Sequence, residues 1–535
     1  MKIHNNFFMQ FISKLDFKQQ KKIFYFIFLL IFSILFNQYY GYIGILPLDS
    51  FLIFNSGYDF LNGYFPFKDY WTITGPLLDV VQAFFFKVFG VSWFSYVLHA
   101  SVFNFIITIS TFFTLSKFKL NLNFCFFYSI LVSILCYPIV GTPFMDHHSS
   151  ILSIIGLFVF VLALKTNLNF YWIILPIILG MAFLSKQTPA AYVSMIVGTL
   201  TIVYFSINLN IRKILMLIFG TFLFFFTLFS LLFVGEISII SFFEQYILFP
   251  QSIGKHRLEL LFPLEFKRII LRFKLIHISM LVLIFIVVKK TIEDYKYVKK
   301  DEFLIIISLI SCGWVFVIHQ LMTINAKFIF FIIPILTGFS HIYFEKYFNK
   351  KYILFFLIFL CFSSTIYYHY TYNSTRKFMD LDKVNLNNAV DAKILDKKLN
   401  KLKWISILYP ENPKKEISQL VEAIEIIKND KRKKVIVTDY QFISVFMSTY
   451  DYSPNKFWHA GVGYPKKNEI YFDTYKKFFT DKLLENKIEV VYTVKPLYYD
   501  KDVLSPILRE SCLTKIKHTD ILISQLITEC DLLKN

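Results

Sequence analysis

Residues 141–166 read Gly-Thr-Pro-Phe-Met-Asp-His-His-Ser-Ser-Ile-Leu-Ser-Ile-Ile-Gly-Leu-Phe-Val-Phe-Val-Leu-Ala-Leu-Lys-Thr. A turn carrying Asp146, His147 and His148 runs directly into the apolar stretch 149–166. About 20 apolar residues form a helix that crosses a bilayer. This stretch therefore places a carboxylate and two imidazoles at the mouth of a span, where retained polar groups mark function or capping. The same apolar pattern recurs at roughly 23–39, 92–116, 123–140, 170–185, 188–207, 213–235, 268–288, 303–322, 328–345 and 352–369, giving eleven expected spans.

Composition agrees. Of 535 residues, 56% are hydrophobic and 17% charged, with 66 Phe and 33 Tyr; mean hydropathy is +0.54. That excludes a soluble single core, a disordered chain and a disulfide scaffold. The net charge of +19 does not indicate nucleic acid, because many Lys residues sit in short loops between apolar runs, as the positive-inside rule requires. The N-terminus is expected in the cytoplasm. The inner loops then hold Lys117 and Lys119, Lys165, Arg212 and Lys213, the Lys289–Lys300 cluster, and Lys346, Lys350 and Lys351. No small-residue cleavage site follows the first run, so it reads as an uncleaved anchor.

An odd number of spans places the polar tail outside. Two units are expected: a membrane domain, 1–370, and an extracytoplasmic α/β domain, 371–535. In the tail, Trp404–Leu408, Lys434–Thr438 and Glu489–Val494 read as strands, and Glu416–Lys428 and Phe472–Leu484 as amphipathic helices. Cys125, Cys136, Cys312 and Cys361 fall in apolar runs; Cys512 and Cys530 lie in the tail, where a disulfide between them is one option.

Candidate chemistry lies on the outer side. The loop 41–91 is too apolar for a free loop and too broken for a span, so short interfacial helices are expected there. It holds Asp49, Asp59, Asp69 and Asp79, the last two flanking Tyr70 and Trp71. Each carboxylate could simply cap a helix or face water, with Asp49 the exception, since it lies just beyond a span between Leu48 and an apolar stretch. Asp146 has the same alternatives: an N-cap, or a carboxylate facing a cavity with His147 and His148. Those three could ligate a divalent metal, although adjacent histidines rarely share one ion. Lys186 in Ser185-Lys186-Gln187-Thr188 is either a snorkelling lysine or half of a phosphate-binding corner. Lys255, Arg257, Lys267, Arg268, Arg272 and Lys274 break the charge asymmetry on the outer side, which suggests an anionic ligand or lipid headgroups. His319-Gln320 and Asn325-Ala326-Lys327 form one more outer polar turn.

These places in this order resemble the GT-C superfold of membrane glycosyltransferases, and within it the protein mannosyltransferase and aminoarabinose transferase branch. The resemblance rests on Asp49, then Leu61-Asn62-Gly63, Pro76-Leu77 and Phe89-Gly90, on Asp146 before the fourth span, and on Phe183-Leu184-Ser185-Lys186-Gln187-Thr188. It covers roughly residues 20–370. The chain departs from it at Asp49-Ser50, where the family commonly has Asp-Glu, and at Lys186-Gln187, where it has Lys-Gly.

The resemblance implies transfer of a sugar from a polyprenyl-phosphate donor to a saccharide, glycolipid or protein acceptor on the outer face of the plasma membrane, with inversion. It implies Asp49 as general base, Asp59 as its rival, and Lys186 with some of Lys255, Arg257, Arg268 and Arg272 on the phosphate. Asp146, His147 and His148 would position the acceptor or an optional divalent cation, and Asp69, Tyr70 and Trp71 would contact sugar. A transporter or flippase of lipid-linked saccharides is the alternative. It would need ionisable residues near the midplane of several spans and internal repeats, and neither is visible. A membrane anchor presenting the tail as a binding module needs far fewer spans. The topology is directly testable: alkaline phosphatase fused after Asn400 is expected to be active in a bacterial host, and fused after Lys300 inactive. The opposite pattern would invert the orientation.

Overall fold

The computed structural model describes residues 16–259, 265–323, 329–348, 350–447, 453–497 and 503–527. Among these, ten helices are long and apolar enough to cross a membrane, and Phe170–Ser185 is a shorter apolar helix. Each corresponds to one of the eleven runs read from sequence. They are α1 (Phe17–Gly41), α4 (Trp93–Lys117), α5 (Leu122–Leu135), α6 (Met145–Lys165), α7 (Phe170–Ser185), α8 (Gln187–Ile207), α9 (Ile211–Val234), α11 (Lys274–Glu293), α12 (Asp301–Thr323), α13 (Ile332–Tyr347) and α14 (Lys351–Tyr368). The largest offsets are the starts of α1, expected from 23, and of α11, expected from 268; residues Lys267–Leu271 form a separate π-helical turn.

Local chemistry sets several helix starts. Asp16 accepts from the Gln19 amide at 2.6 Å and opens α1; Asn210 accepts from the Lys213 amide at 3.1 Å and opens α9. Asp146 does not do this. The residue preceding α6 is Phe144, with no side-chain cap, and Asp146 lies within the first turn with its carboxylate committed elsewhere. α6 is buried along nearly its whole length, so it forms the centre of the bundle. α9 is buried at only a few positions and turns Phe222, Phe226 and Phe233 outward, the pattern of a lipid-facing span.

The loop between α1 and α4 contains α2 (Pro47–Leu61) and α3 (Pro76–Phe89), each with Pro in its first turn. The sequence suggested helices lying in the interface. Instead α2 is buried over most of its surface, because the tail covers it. Phe51 stacks on Trp404 at a centroid distance of 5.9 Å and packs against Phe442 at 4.7 Å. Backbone pairing continues the contact: Lys403 N donates to Tyr42 O at 2.9 Å, and Ile45 N to Ile405 O at 3.0 Å.

In the tail, β1 (Val390–Asp391) pairs with β2 (Lys403–Trp404). A second sheet has the order β3 (Lys434–Thr438), β4 (Val490–Val494), β6 (Leu522–Ile527), β5 (Leu513–Lys517), parallel between β3 and β4 and antiparallel elsewhere. Ile436 and Tyr492 face the helix α15 (Pro413–Asn429). Val435, Val437 and Val491 face α16 (Phe472–Glu485). Helices on both faces explain why β3 and β4 read as unbroken apolar runs rather than as alternating ones.

Arg376 ties these parts together. It is buried, and its guanidinium donates to Ile43 O (2.9 Å), Pro138 O (2.8 Å), Ile139 O (3.2 Å) and Val140 O (2.9 Å). Burial pulls it down to about 10, with the Tyr40 ring opposing. Replacing Arg376 by Ala leaves those carbonyls without a donor, and a loss on the order of 3 kcal/mol is expected. Lys, a point charge without the planar fork, should recover part of it. The midpoint of thermal unfolding in detergent should rank wild type, Arg376→Lys, Arg376→Ala; equal midpoints would contradict the role.

Candidate active site

Lys186 lies in the corner between α7 and α8, in extended backbone conformation. Three contacts shape that corner. Gly75 N donates to Ser185 O at 3.3 Å, and a Cβ on Gly75 would sit 1.7 Å from Leu184 O, so the first loop closes here only with glycine. Gln187 Nε2 donates to Ile73 O (3.0 Å) and Tyr246 O (2.7 Å). Ser149 Oγ donates to Lys186 O at 3.1 Å. Gln187 thus fastens two segments, at Ile73 and Tyr246, to the corner.

The Lys186 ammonium donates to both oxygens of Asp146 at 2.7 Å. His319 Nε2 approaches Asp146 Oδ1 at 3.2 Å. Arg257 lies within electrostatic reach of His319, and Arg268 donates to Leu321 O at 3.0 Å. Residues from α6, the α7–α8 corner, the end of α12 and α10 (Phe249–Glu259) therefore converge at one end of the bundle. Lys186 keeps 17% of its side-chain surface open, against 7% for Asp146 and 2% for His319. Lys186 is the more exposed member of the pair.

His147 and His148 diverge from Asp146. His147 Nε2 is 3.2 Å from Cys136 O. His148 enters a buried chain: Gln82 Oε1 to His99 Nδ1 at 2.9 Å, His99 Nε2 to His148 Nε2 at 2.9 Å, and His148 Nδ1 to the Tyr137 hydroxyl. With Gln82 as acceptor, His99 carries its proton on Nδ1 and His148 on Nε2, and Tyr137 donates to His148 Nδ1. The turn ahead of Asp146 is also fixed sterically. Gly141 has φ +84° and lies against Gly41, where a Cβ would approach its Cα to 2.5 Å.

Asp49 stands half-buried in the first turn of α2, within electrostatic reach of Tyr96. Asp59, its rival, is buried in an ion pair with Lys456 of the tail. Asp69 accepts from Phe65 N at 2.7 Å and closes a turn. Tyr70 and Trp71 are buried, Trp71 against Phe249, Tyr475 and Phe478, so neither offers a free face to a sugar. The tail took the surfaces that the sequence reading had left to a ligand. Arg272 lies within electrostatic reach of Tyr372. The side chain of Lys255, and Asn325, Ala326 and Lys327, lie outside the described residues.

Sequence reasoning did not place His99, Tyr137, Arg376 or Lys456 near the site. Their partners are distant in the chain, and none belongs to a spaced motif. His319 was visible as an outer polar residue, but its approach to Asp146 spans 173 positions.

The fold and site together define a multi-span helical membrane protein with an acid–base and cation cluster at one end of its spans. No family model and no curated protein matches the chain. Two solved structures resemble it: an oligosaccharyltransferase of Archaeoglobus fulgidus in complex with Zn and sulfate (11% identity, TM-score 0.46, covering 88% of this chain and 68% of that one), and the archaeal oligosaccharyltransferase AglB from the same organism in complex with an inhibitory peptide and a dolichol-phosphate (11% identity, TM-score 0.45, covering 90% and 70%).

Asp146, His147 and His148 do not fit a metal as folded. The Asp146 oxygens hold the Lys186 ammonium, the two imidazoles point elsewhere, and among the described residues no three His, Cys, Asp or Glu side chains gather around a common point.

Beside this cluster, Asp79 accepts from Ser56 Oγ (2.5 Å) and Tyr70 Oη (2.7 Å). Burial raises it from 3.8 to about 6, against those hydrogen bonds. A raised acid favours the folded state below its unfolded value, and that contribution is lost as pH rises through about 6. Two units correspond to about 3 kcal/mol. Relative to Asp79→Asn, the wild-type midpoint of unfolding should therefore fall between pH 4.5 and 7.5. Parallel curves for the two proteins would show that Asp79 does not titrate in this window.

Proposed function

We propose that the protein is a membrane glycosyltransferase that moves a sugar from a polyprenyl-phosphate donor to an acceptor hydroxyl or amide on the outer face of the membrane. The observation that carries this reading is the partly open Lys186 side chain, held by Asp146 beside His319 and Arg257 at one end of the spans.

The chemistry follows from the leaving group. A lipid phosphate is stable once released, so it needs cations rather than a proton donor. Lys186 and Arg257 would neutralise it as the bond between the anomeric carbon and the phosphate oxygen breaks. The acceptor oxygen or nitrogen forms the new bond from the opposite face, with inversion, and its proton passes to Asp49 as general base. Asp146 and His319 act one step back. They hold the Lys186 ammonium in place, since removing one partner of a buried pair leaves the other uncompensated.

A cytoplasmic N-terminus puts Gly41, the 137–146 turn, Lys186 and the tail on the outer side. Cys512 supports that placement. It is disulfide-bonded, and disulfides persist in oxidising compartments; Cys530 lies outside the described residues.

Transfer from labelled polyprenyl-phosphate sugars in membranes tests the assignment. Asp49→Asn is expected to lower the rate by about 100-fold or more, with the unfolding midpoint unchanged. Lys186→Gln should weaken donor use as well. Full activity in Asp49→Asn would remove the base assignment. No transfer by the intact protein from any donor in the panel would favour a lipid-linked saccharide transporter.

A further inference from the structure

The end of the bundle opposite Lys186 contains a cavity of about 560 Å³. It opens where α4 turns into α5, at the last residue of α6, at the first residues of α12 and near the end of α13. Small-molecule sites span roughly 300–1,000 Å³, so a headgroup with its glycerol fits.

The charges lining it are sorted by position. Lys119 and Lys165 stand on the α4–α5 turn and the end of α6; Asp301 and Glu345 stand on α12 and α13. Two further charges are already spent. Glu302 accepts from Tyr297 Oη at 2.9 Å and pairs with Lys346 and Tyr347. Among the described residues no ion pair joins Lys119 or Lys165 to Asp301 or Glu345. Lys165 lies over the Phe118 ring at 5.2 Å. Lys213, which lies within electrostatic reach of Asp301, donates to Tyr204 Oη at 2.9 Å.

We propose that this cavity binds the headgroup of an aminophospholipid, its phosphate between Lys119 and Lys165 and its primary ammonium on Asp301 and Glu345. Three features select that chemistry. The cavity sits at the ends of four spans, where the headgroups of one leaflet lie. Leu120, Leu164, Ile305 and Ile342 supply an apolar wall for the glycerol and upper acyl chains. The carboxylates accept hydrogen bonds from an ammonium but find no N–H on choline, and an anionic headgroup without an amine leaves them facing like charge. This inference does not depend on the glycosyltransferase reading, because the site lies at the other end of the molecule.

Native mass spectrometry and thermal unfolding of the full chain in detergent test it. The probes are phosphatidylethanolamine, phosphatidylcholine, phosphatidylglycerol and free phosphoethanolamine. Phosphatidylethanolamine should be retained selectively and raise the unfolding midpoint. Lys165→Ala and Asp301→Asn should each weaken it about ten-fold, the loss of one charge-assisted hydrogen bond, while their midpoints without added lipid stay near wild type. Selective binding of free phosphoethanolamine that is lost in the same variants would keep the recognition chemistry and assign a soluble source. Equal retention of the three lipids would overturn the proposal. So would a preference for phosphatidylethanolamine that survives in both variants.

Discussion

One guanidinium holds together the end of the bundle that carries Lys186. Arg376 donates to the carbonyls of Ile43, Pro138, Ile139 and Val140, so the exit from α1, the turn before α6 and the start of the tail share one donor group. Where spans end, the chain must reverse without leaving backbone acceptors bare. The 137–144 turn does this in the interior of the molecule, away from water, and it needs a cation with several fixed donors. Asp146 follows that turn directly. Its position relative to Lys186 therefore depends on a residue 230 positions later in the chain.

The second constraint is close approach. Gly41 against Gly141, and Gly75 against Leu184, bring backbones to distances that no side chain allows. The first contact positions the turn ahead of Asp146, and the second brings the loop between α1 and α4 onto the Lys186 corner. Polar groups then complete what sterics start: Gln187 reaches two backbone carbonyls, and Ser149 holds the Lys186 carbonyl. The result is a rigid acid–base cluster built on helix ends.

The tail is part of the same construction. Lys456 enters the first loop, pairs with Asp59 and lies 4.8 Å from the Tyr70 ring, while Trp71 N donates to Pro454 O at 2.8 Å. Loop and tail also share one apolar cluster, from Phe51 and Phe54 to Trp404 and Phe442. A change in the tail therefore reaches the loop that carries Asp49, and the buried residues Asp59, Tyr70 and Asp79 serve this junction.

The amino-acid sequence alone determined what depends on neighbouring residues. A span is a sum of hydropathy over about 20 residues, so the apolar runs predicted the eleven helices α1, α4 to α9 and α11 to α14, with boundaries up to six residues off. The strands 434–438 and 490–494 and the two tail helices were legible for the same reason, because periodicity is local. The singular polar residues Asp49, Asp146 and Lys186 were also visible, since polarity at a span end contrasts with its surroundings. Their partners were not. Lys186 meets Asp146 across 40 positions, His319 meets Asp146 across 173, and Lys456 meets Asp59 across 397. Tertiary structure decided which carboxylate holds a partly open lysine and which lies in a fully buried pair, because burial and pairing belong to the packed whole and no local pattern encodes them.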